Sequence, residues 1–230
     1  MDKNIDDEKE RARKILEILE KEFTISSNEF VAYKAFLSGD PFKALVATII
    51  SQNTSEKNSF KAWEQLSSNI SVDPYTLSKT DPKVIAELIR PAGLHVQKAK
   101  AIVLAAKYVV NELGGDFNKL LKLPVEEARR RLVSIPGIGW KTADVVLCMQ
   151  GKPTIAVDTH ISRVSVRLGF TKTRRYEEVR KKLMELYDPK DYHKVHLLLI
   201  LLGRRYCKAR NPLCSKCPVR HLCPSRQHGS

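Results

Sequence analysis

Two groups of residues in this chain have the types and the spacing for chemistry. The first is Ile135-Pro136-Gly137-Ile138-Gly139-Trp140-Lys141-Thr142-Ala143, followed by Val157-Asp158-Thr159-His160. Residues 126–133 read as a short helix that Pro136 ends. Gly137 and Gly139 then form a turn, and a second helix starts near Trp140 with Ala143, Val146 and Leu147 at helical spacing. The result is a helix-hairpin-helix. Its second helix presents unpaired N–H groups and a positive dipole end, which suits a phosphate of DNA. Lys141 falls in the first turn of that helix, where the dipole disfavours a cation. That placement favours a nucleophilic amine; the alternative is a solvated lysine that touches phosphate. Asp158 offers a partner carboxylate, and it equally suits the N-cap of a helix opening at Thr159.

The second group is Cys207, Cys214, Cys217 and Cys223, spaced C-x6-C-x2-C-x5-C. Four thiols this close read as a metal site more readily than as disulfides. Their spacing admits zinc or an iron–sulfur cluster and does not separate them. The fifth cysteine, Cys148, stands between Leu147 and Met149 and reads as a small buried apolar residue. Lys208, Arg210, Lys216 and Arg220 surround the four thiols, and Lys208 and Arg210 lie between the first two.

These groups need helices to hold them. Asp6–Glu22 is a charged helix with a narrow apolar stripe through Ile15 and Leu19. Asp40-Pro41, Asp73-Pro74 and Asp81-Pro82 are helix starts, with aspartate as cap and proline at the first helical position. The helix after Pro41 is almost wholly apolar and should be central. A long helix runs from about Val96 to Leu113 and stops at Gly114-Gly115. Further helices are expected near 159–168, 176–187 and 193–203. Apolar residues recur at three and four, no β pattern survives, and the fold class is all-α.

The chain has 230 residues and 43% apolar residues, enough for one large or two small domains. Lysine and arginine number 40 against 26 acids, a formal charge of +14. The excess is uneven: residues 1–30 hold nine acids and six bases, whereas 192–230 hold eight bases and no acid. A basic face of this kind suits a polyanion. No apolar run reaches the roughly 18 residues of a membrane span, and no signal-peptide pattern follows the charged first residues. A cytoplasmic, DNA-associated monomer with no membrane contact is the expectation.

The stretch Ile135–Ala143 with Ala156–His160 resembles the core of the endonuclease III group of helix-hairpin-helix DNA glycosylases, and the four-cysteine spacing resembles that group's [4Fe–4S] loop. The resemblance runs from about Pro41 to Cys223. It implies a six-helix barrel domain over 34–153 that carries the hairpin. It implies a second helical domain from 1–33 and 154–230 that carries the cluster loop at 207–223, with the DNA cleft between the domains. It implies that Cys207, Cys214, Cys217 and Cys223 ligate a [4Fe–4S] cluster, with zinc as the alternative. In this picture the cluster fixes the loop so that Lys208 and Arg210 meet DNA already ordered.

The resemblance further implies that Lys141 attacks C1′ of a damaged nucleotide and that Asp158 assists. Such chemistry requires the nucleotide to leave the stack, and something must fill the gap. Gln52 or Asn53, in Ser51-Gln52-Asn53-Thr54, matches the family's polar wedge, and Leu94 matches its apolar one. Gly137 and Gly139 would hold a phosphate. The expected function is a bifunctional DNA N-glycosylase and abasic-site lyase that removes oxidised pyrimidines from double-stranded DNA and cuts 3′ to the lesion by β-elimination. The alternatives are a glycosylase for uracil or mismatched thymine, and a non-catalytic iron–sulfur DNA-binding protein.

Overall fold

Each aspartate–proline pair opens a helix, and the aspartates cap as their chemistry dictates. In the computed structural model, which describes residues 3–226, Asp40 accepts from the amides of Phe42 and Lys43 at 2.9 and 3.2 Å. Asp73 accepts from Thr76 N at 2.9 Å, and Asp81 from Lys83 N at 2.8 Å. All the regular elements among the described residues are helical. In chain order the α-helices are α1 (Lys3–Glu22), α2 (Val31–Phe36), α3 (Pro41–Ser51), α4 (Glu56–Asn69), α5 (Pro74–Lys79) and α6 (Pro82–Leu88). They continue with α7 (His95–Leu113), α8 (Asn118–Leu121), α9 (Val125–Val133), α10 (Trp140–Met149), α11 (Thr159–Arg167), α12 (Tyr176–Leu186) and α13 (Tyr192–Arg205). Short 3-10 turns lie at Arg90–Ala92, Pro189–Asp191, Cys214–Lys216 and Arg220–Leu222.

The chain divides into two units, Ser26–Lys152 and Met1–Ile25 with Pro153–Ser230. The division differs from the 34–153 and 1–33 plus 154–230 boundaries drawn from the sequence; of the latter, residues 1–2 and 227–230 lie outside the described residues. The reason is packing of residues 26–33. Val31 is fully buried in the core of the first unit, its N donates to Glu56 Oε2 at 3.2 Å, and α2 packs on α3.

In the unit of residues 26–152, α3 is central, with Leu45, Val46, Ile49 and Ile50 all fully buried. It packs against α2, α4, α7 and α10, while α5 and α6 pack on α7. The scarcity of polar groups lets α3 be covered along almost its whole length, Lys43 and Ser51 excepted. The turn between α9 and α10 is pinned by Ile135 and Ile138, each 3% exposed. Gly137 in that turn has φ +91, and a Cβ there would lie 2.6 Å from the Cβ of Ala101 on α7. Glycine is required by both the backbone and the approach.

A buried ion pair joins the hairpin helices. Arg129 on α9 donates through Nε to Asp144 Oδ1 at 2.7 Å and through Nη2 to Oδ2 at 2.9 Å, with Asp144 on α10 wholly buried. The guanidinium also lies 4.9 Å from the ring centroid of Trp140. In the other unit, α1 packs on α12 and α13, and α11 packs on α13. Ala12, Ile15 and Leu19 form the buried stripe of α1. Arg11 donates to the carbonyls of Leu168 and Leu222 at 2.6 and 3.2 Å, which ties the first helix to the end of the cysteine loop.

Asp144→Ala removes the bidentate carboxylate from a buried guanidinium that keeps Glu126 Oε2 at 2.8 Å, and it should lower unfolding free energy by about 3 kcal/mol in a urea titration, with the paired change Arg129→Met/Asp144→Leu recovering most of it. Gly137→Ala should lower Tm by several degrees, through a backbone strain of about 1–3 kcal/mol plus the clash with Ala101. Gly139→Ala, at φ −93 with open space beside it, should leave Tm unchanged.

Candidate active site

The hairpin forms as its sequence requires. Residues 125–133 are α9, Ser134–Gly139 turn, and α10 opens at Trp140 with Gly139 as N-cap. No side-chain hydrogen bond caps α10. Lys141 sits in this first turn and its residue is exposed. Trp140, 44% exposed, stands beside it in sequence with its ring over Arg129. Thr142, one residue on, is buried.

Gln52 and Asn53, adjacent in sequence, behave differently. Gln52 Nε2 donates to Thr142 Oγ1 at 2.9 Å and to Gly137 O at 3.3 Å, so it is tied to the hairpin. Asn53 is exposed, in a left-handed backbone conformation with φ +50. Leu94, 54% exposed, is also left-handed, with φ +49, and is the N-cap residue of α7. Non-glycine residues adopt this region rarely and at an energetic cost.

Sequence reading passed over Lys98, in the first half of α7. It is only 3% exposed, and its Nζ donates to Ile50 O at 2.8 Å and Ala92 O at 2.9 Å. Burial holds its ammonium down at about 8, well below the ordinary lysine range. A lysine between Gln97 and Ala99 carries no sequence signal for this, because helical periodicity places it among exposed neighbours as readily as inside.

Asp158 belongs to the other unit. It is the N-cap of α11, and its Oδ1 accepts from Ile161 N at 2.7 Å. The cap thus uses one oxygen, and the residue is half-buried. The segment before it, Thr154–Val157, is buried throughout. One turn on, Arg163 donates to Gly203 O at 3.0 Å and Cys207 O at 2.9 Å, linking α11 to the start of the cysteine loop.

Cys207, Cys214, Cys217 and Cys223 are free thiols that line one cavity with Val164, Leu202 and Val219. Burial pushes the Cys217 thiol up to about 11, and the other three cysteines add to that shift. Burial raises Cys223 too. Thiols this close become thiolates together only around a cationic metal core. Among the described residues, no three of His, Cys, Asp or Glu converge on a single ion. Four thiols around one cavity are a donor set that an iron–sulfur cluster takes. Arg167 completes the setting: its Nη1 donates to Cys207 Sγ at 3.4 Å and to Lys208 O at 2.6 Å, and Cys223 Sγ donates to its carbonyl at 3.3 Å. Sequence reading did not single out Arg167, whose position on α11 carries no ligand spacing. Lys208, Arg210, Lys216 and Arg220 are all exposed. Cys148 is buried, as an apolar residue would be. None of the helices described is long and apolar enough to cross a membrane.

Known proteins share these features. The chain matches the model of the HhH-GPD superfamily of base excision DNA repair proteins over residues 46–189. It matches the iron–sulfur binding domain of endonuclease III over residues 207–223. Endonuclease III of Thermotoga maritima is 36% identical over 185 residues, 80% of this chain and 83% of that protein. Endonuclease III of Sulfolobus acidocaldarius is 35% identical over 210 residues, 89% of this chain and 92% of that protein. A solved non-covalent endonuclease III–DNA complex superposes with a TM-score of 0.78 at 30% identity, over 94% of this chain and 95% of that one. A trapped endonuclease III–DNA covalent intermediate gives a TM-score of 0.74 at 29% identity, over 94% and 96%. With its hairpin, its all-helical architecture and its four-cysteine loop, the chain belongs to the endonuclease III family of base excision DNA repair proteins.

Proposed function

We propose that this base excision repair glycosylase and abasic-site lyase removes oxidised pyrimidines from double-stranded DNA, acting as a monomer with Lys141 as nucleophile. The observation that carries the reading is an exposed lysine in the uncapped first turn of the second hairpin helix. Open amides around Gly137 and Gly139 bind a phosphate beside the lesion. The Lys141 amine attacks C1′ of the everted nucleotide, forms a C–N bond and displaces the base. The amine gives up a proton and the C1′–O4′ bond opens, with the proton returning to O4′; the Schiff base so formed acidifies the 2′ protons of the sugar, and β-elimination breaks the C–O bond on the 3′ side. Asp158 assists, either by taking the lysine proton or by facing positive charge on the sugar.

Asn53 and Leu94 fill the vacated space. Both are exposed turn tips held in left-handed backbone, as a wedge requires. Gln52 instead holds its turn to the hairpin through Thr142. Cys207, Cys214, Cys217 and Cys223 hold a [4Fe–4S] cluster, whose contribution is to fold the loop around itself. Lys208 and Arg210 on that loop meet the phosphate backbone, already ordered, and Arg167 pins the carbonyls of Lys208 and Ala209.

Borohydride reduction during turnover should join the wild-type protein covalently to lesion-containing DNA, and Lys141→Gln should abolish the adduct while still binding. An adduct that persists in Lys141→Gln removes the lysine from its role. A panel of single-lesion duplexes should show oxidised pyrimidines processed faster than uracil or mismatched thymine; the reverse ranking overturns the substrate assignment. Cys217→Ser should lose the brown absorption of the cluster and weaken DNA binding, whereas Lys141→Gln should keep both.

A further inference from the structure

Lys98 is a buried cation that the steps above do not use. Its two acceptors occupy particular places. Ile50 is the penultimate residue of α3, and the next residues lead through Gln52 into the Asn53 tip. Ala92 ends a 3-10 turn, and the next residues are Gly93 and the Leu94 tip. One ammonium therefore joins the backbone immediately before both exposed tips, at 2.8 and 2.9 Å. Among the described residues, only Asn53, Leu94 and Asn211 are non-glycine residues with positive φ. The two tips tied by Lys98 are two of those three.

We propose that Lys98 is a positioning residue that fixes the Asn53 turn and the Leu94 turn against each other, so that both tips enter the same gap in the duplex. The inference rests on the wedge reading of those tips. The chemistry selects lysine. Both carbonyls are buried ends of helical segments and need donors. The ammonium has three N–H groups and the reach to satisfy both at once. An apolar side chain leaves both acceptors unpaired, and a shorter amide reaches them one at a time. A charge buried among apolar neighbours opposes folding stability unless it is well paired, so a role confined to stability would not favour it. Held at one end only, each turn would relax toward the ordinary backbone regions that Asn53 and Leu94 otherwise prefer.

The test uses the cluster-loaded, full-length protein and two activities. One is base removal from a duplex containing a single oxidised pyrimidine, which requires the stack to be opened. The other is strand cleavage at an abasic site in a single-stranded oligonucleotide, which does not. Lys98→Met should lower kcat/KM on the duplex by about ten-fold or more and leave single-strand cleavage within about two-fold of wild type. Lys98→Gln should fall between them, and it decides the matter where Lys98→Met fails to fold. Leu94→Ala and Asn53→Ala serve as reference variants. If they lose duplex activity selectively and the Lys98 variants do not, Lys98 has no positioning role and the wedge reading stands. If Leu94→Ala and Asn53→Ala lose nothing selectively, the wedge reading itself fails. An equal loss of both activities in the Lys98 variants reduces Lys98 to a structural residue and overturns the proposal.

Discussion

In the unit of residues 26–152 the hairpin turn and the two left-handed tips at Asn53 and Leu94 are all referred to the first half of α7. Gly137 brings the hairpin turn against Ala101 so closely that a single added carbon would sit 2.6 Å from its Cβ. Lys98, one turn earlier on the same helix, holds the ends of α3 and of the 90–92 turn. Leu94 caps the helix itself. Three separate stretches of chain, around residues 53, 94 and 137, thus take their positions from about two turns of one helix. Small residues make the approach possible, because Ala99, Ala101, Ala105 and Ala106 keep the α7 surface low and buried.

Much of this was legible beforehand. Aspartate followed by proline marked the starts of α3, α5 and α6, because the cap and the fixed φ act locally and need no partner. Pro136 and the pair Gly137 and Gly139 marked the hairpin for the same reason. The three- and four-residue recurrence placed α11, α12 and α13 within a residue or two at most ends. What stayed hidden was non-local. No expectation covered α2, α4 or α8; α2 and α8 are six and four residues long, and α4 is mostly polar, with a buried side made by Ser59, Ala62, Trp63 and Leu66. The two divisions differ over residues 26–33 because that segment is placed by long-range contacts, such as the burial of Val31 and its amide bond to Glu56, and not by its own pattern. Lys98 was missed because it acts through carbonyl groups, and Arg167 because it acts mostly through them; a carbonyl leaves no trace in a side-chain sequence.

The cysteine loop shows the complementary case. Its thiol spacing is visible in the chain, yet its stability in place depends on long-range polar ties. Arg11 from α1 and Arg167 from α11 both donate to backbone carbonyls in or next to it. Arginine suits this task, since its rigid fork can serve several acceptors at once. The loop's own basic residues are left exposed, so the arginines that hold the loop and the bases that face outward are different sets.

The stacking of Trp140 on Arg129 has an optical corollary. The chain contains two tryptophans; Trp63 is buried at 8% exposure, and Trp140 is 44% exposed at the mouth of the hairpin. One indole is shielded from quenchers, and the other sits on a guanidinium clamped by a carboxylate. Tryptophan emission that a small solute can extinguish therefore originates mainly from Trp140, so the hairpin carries its own native fluorophore.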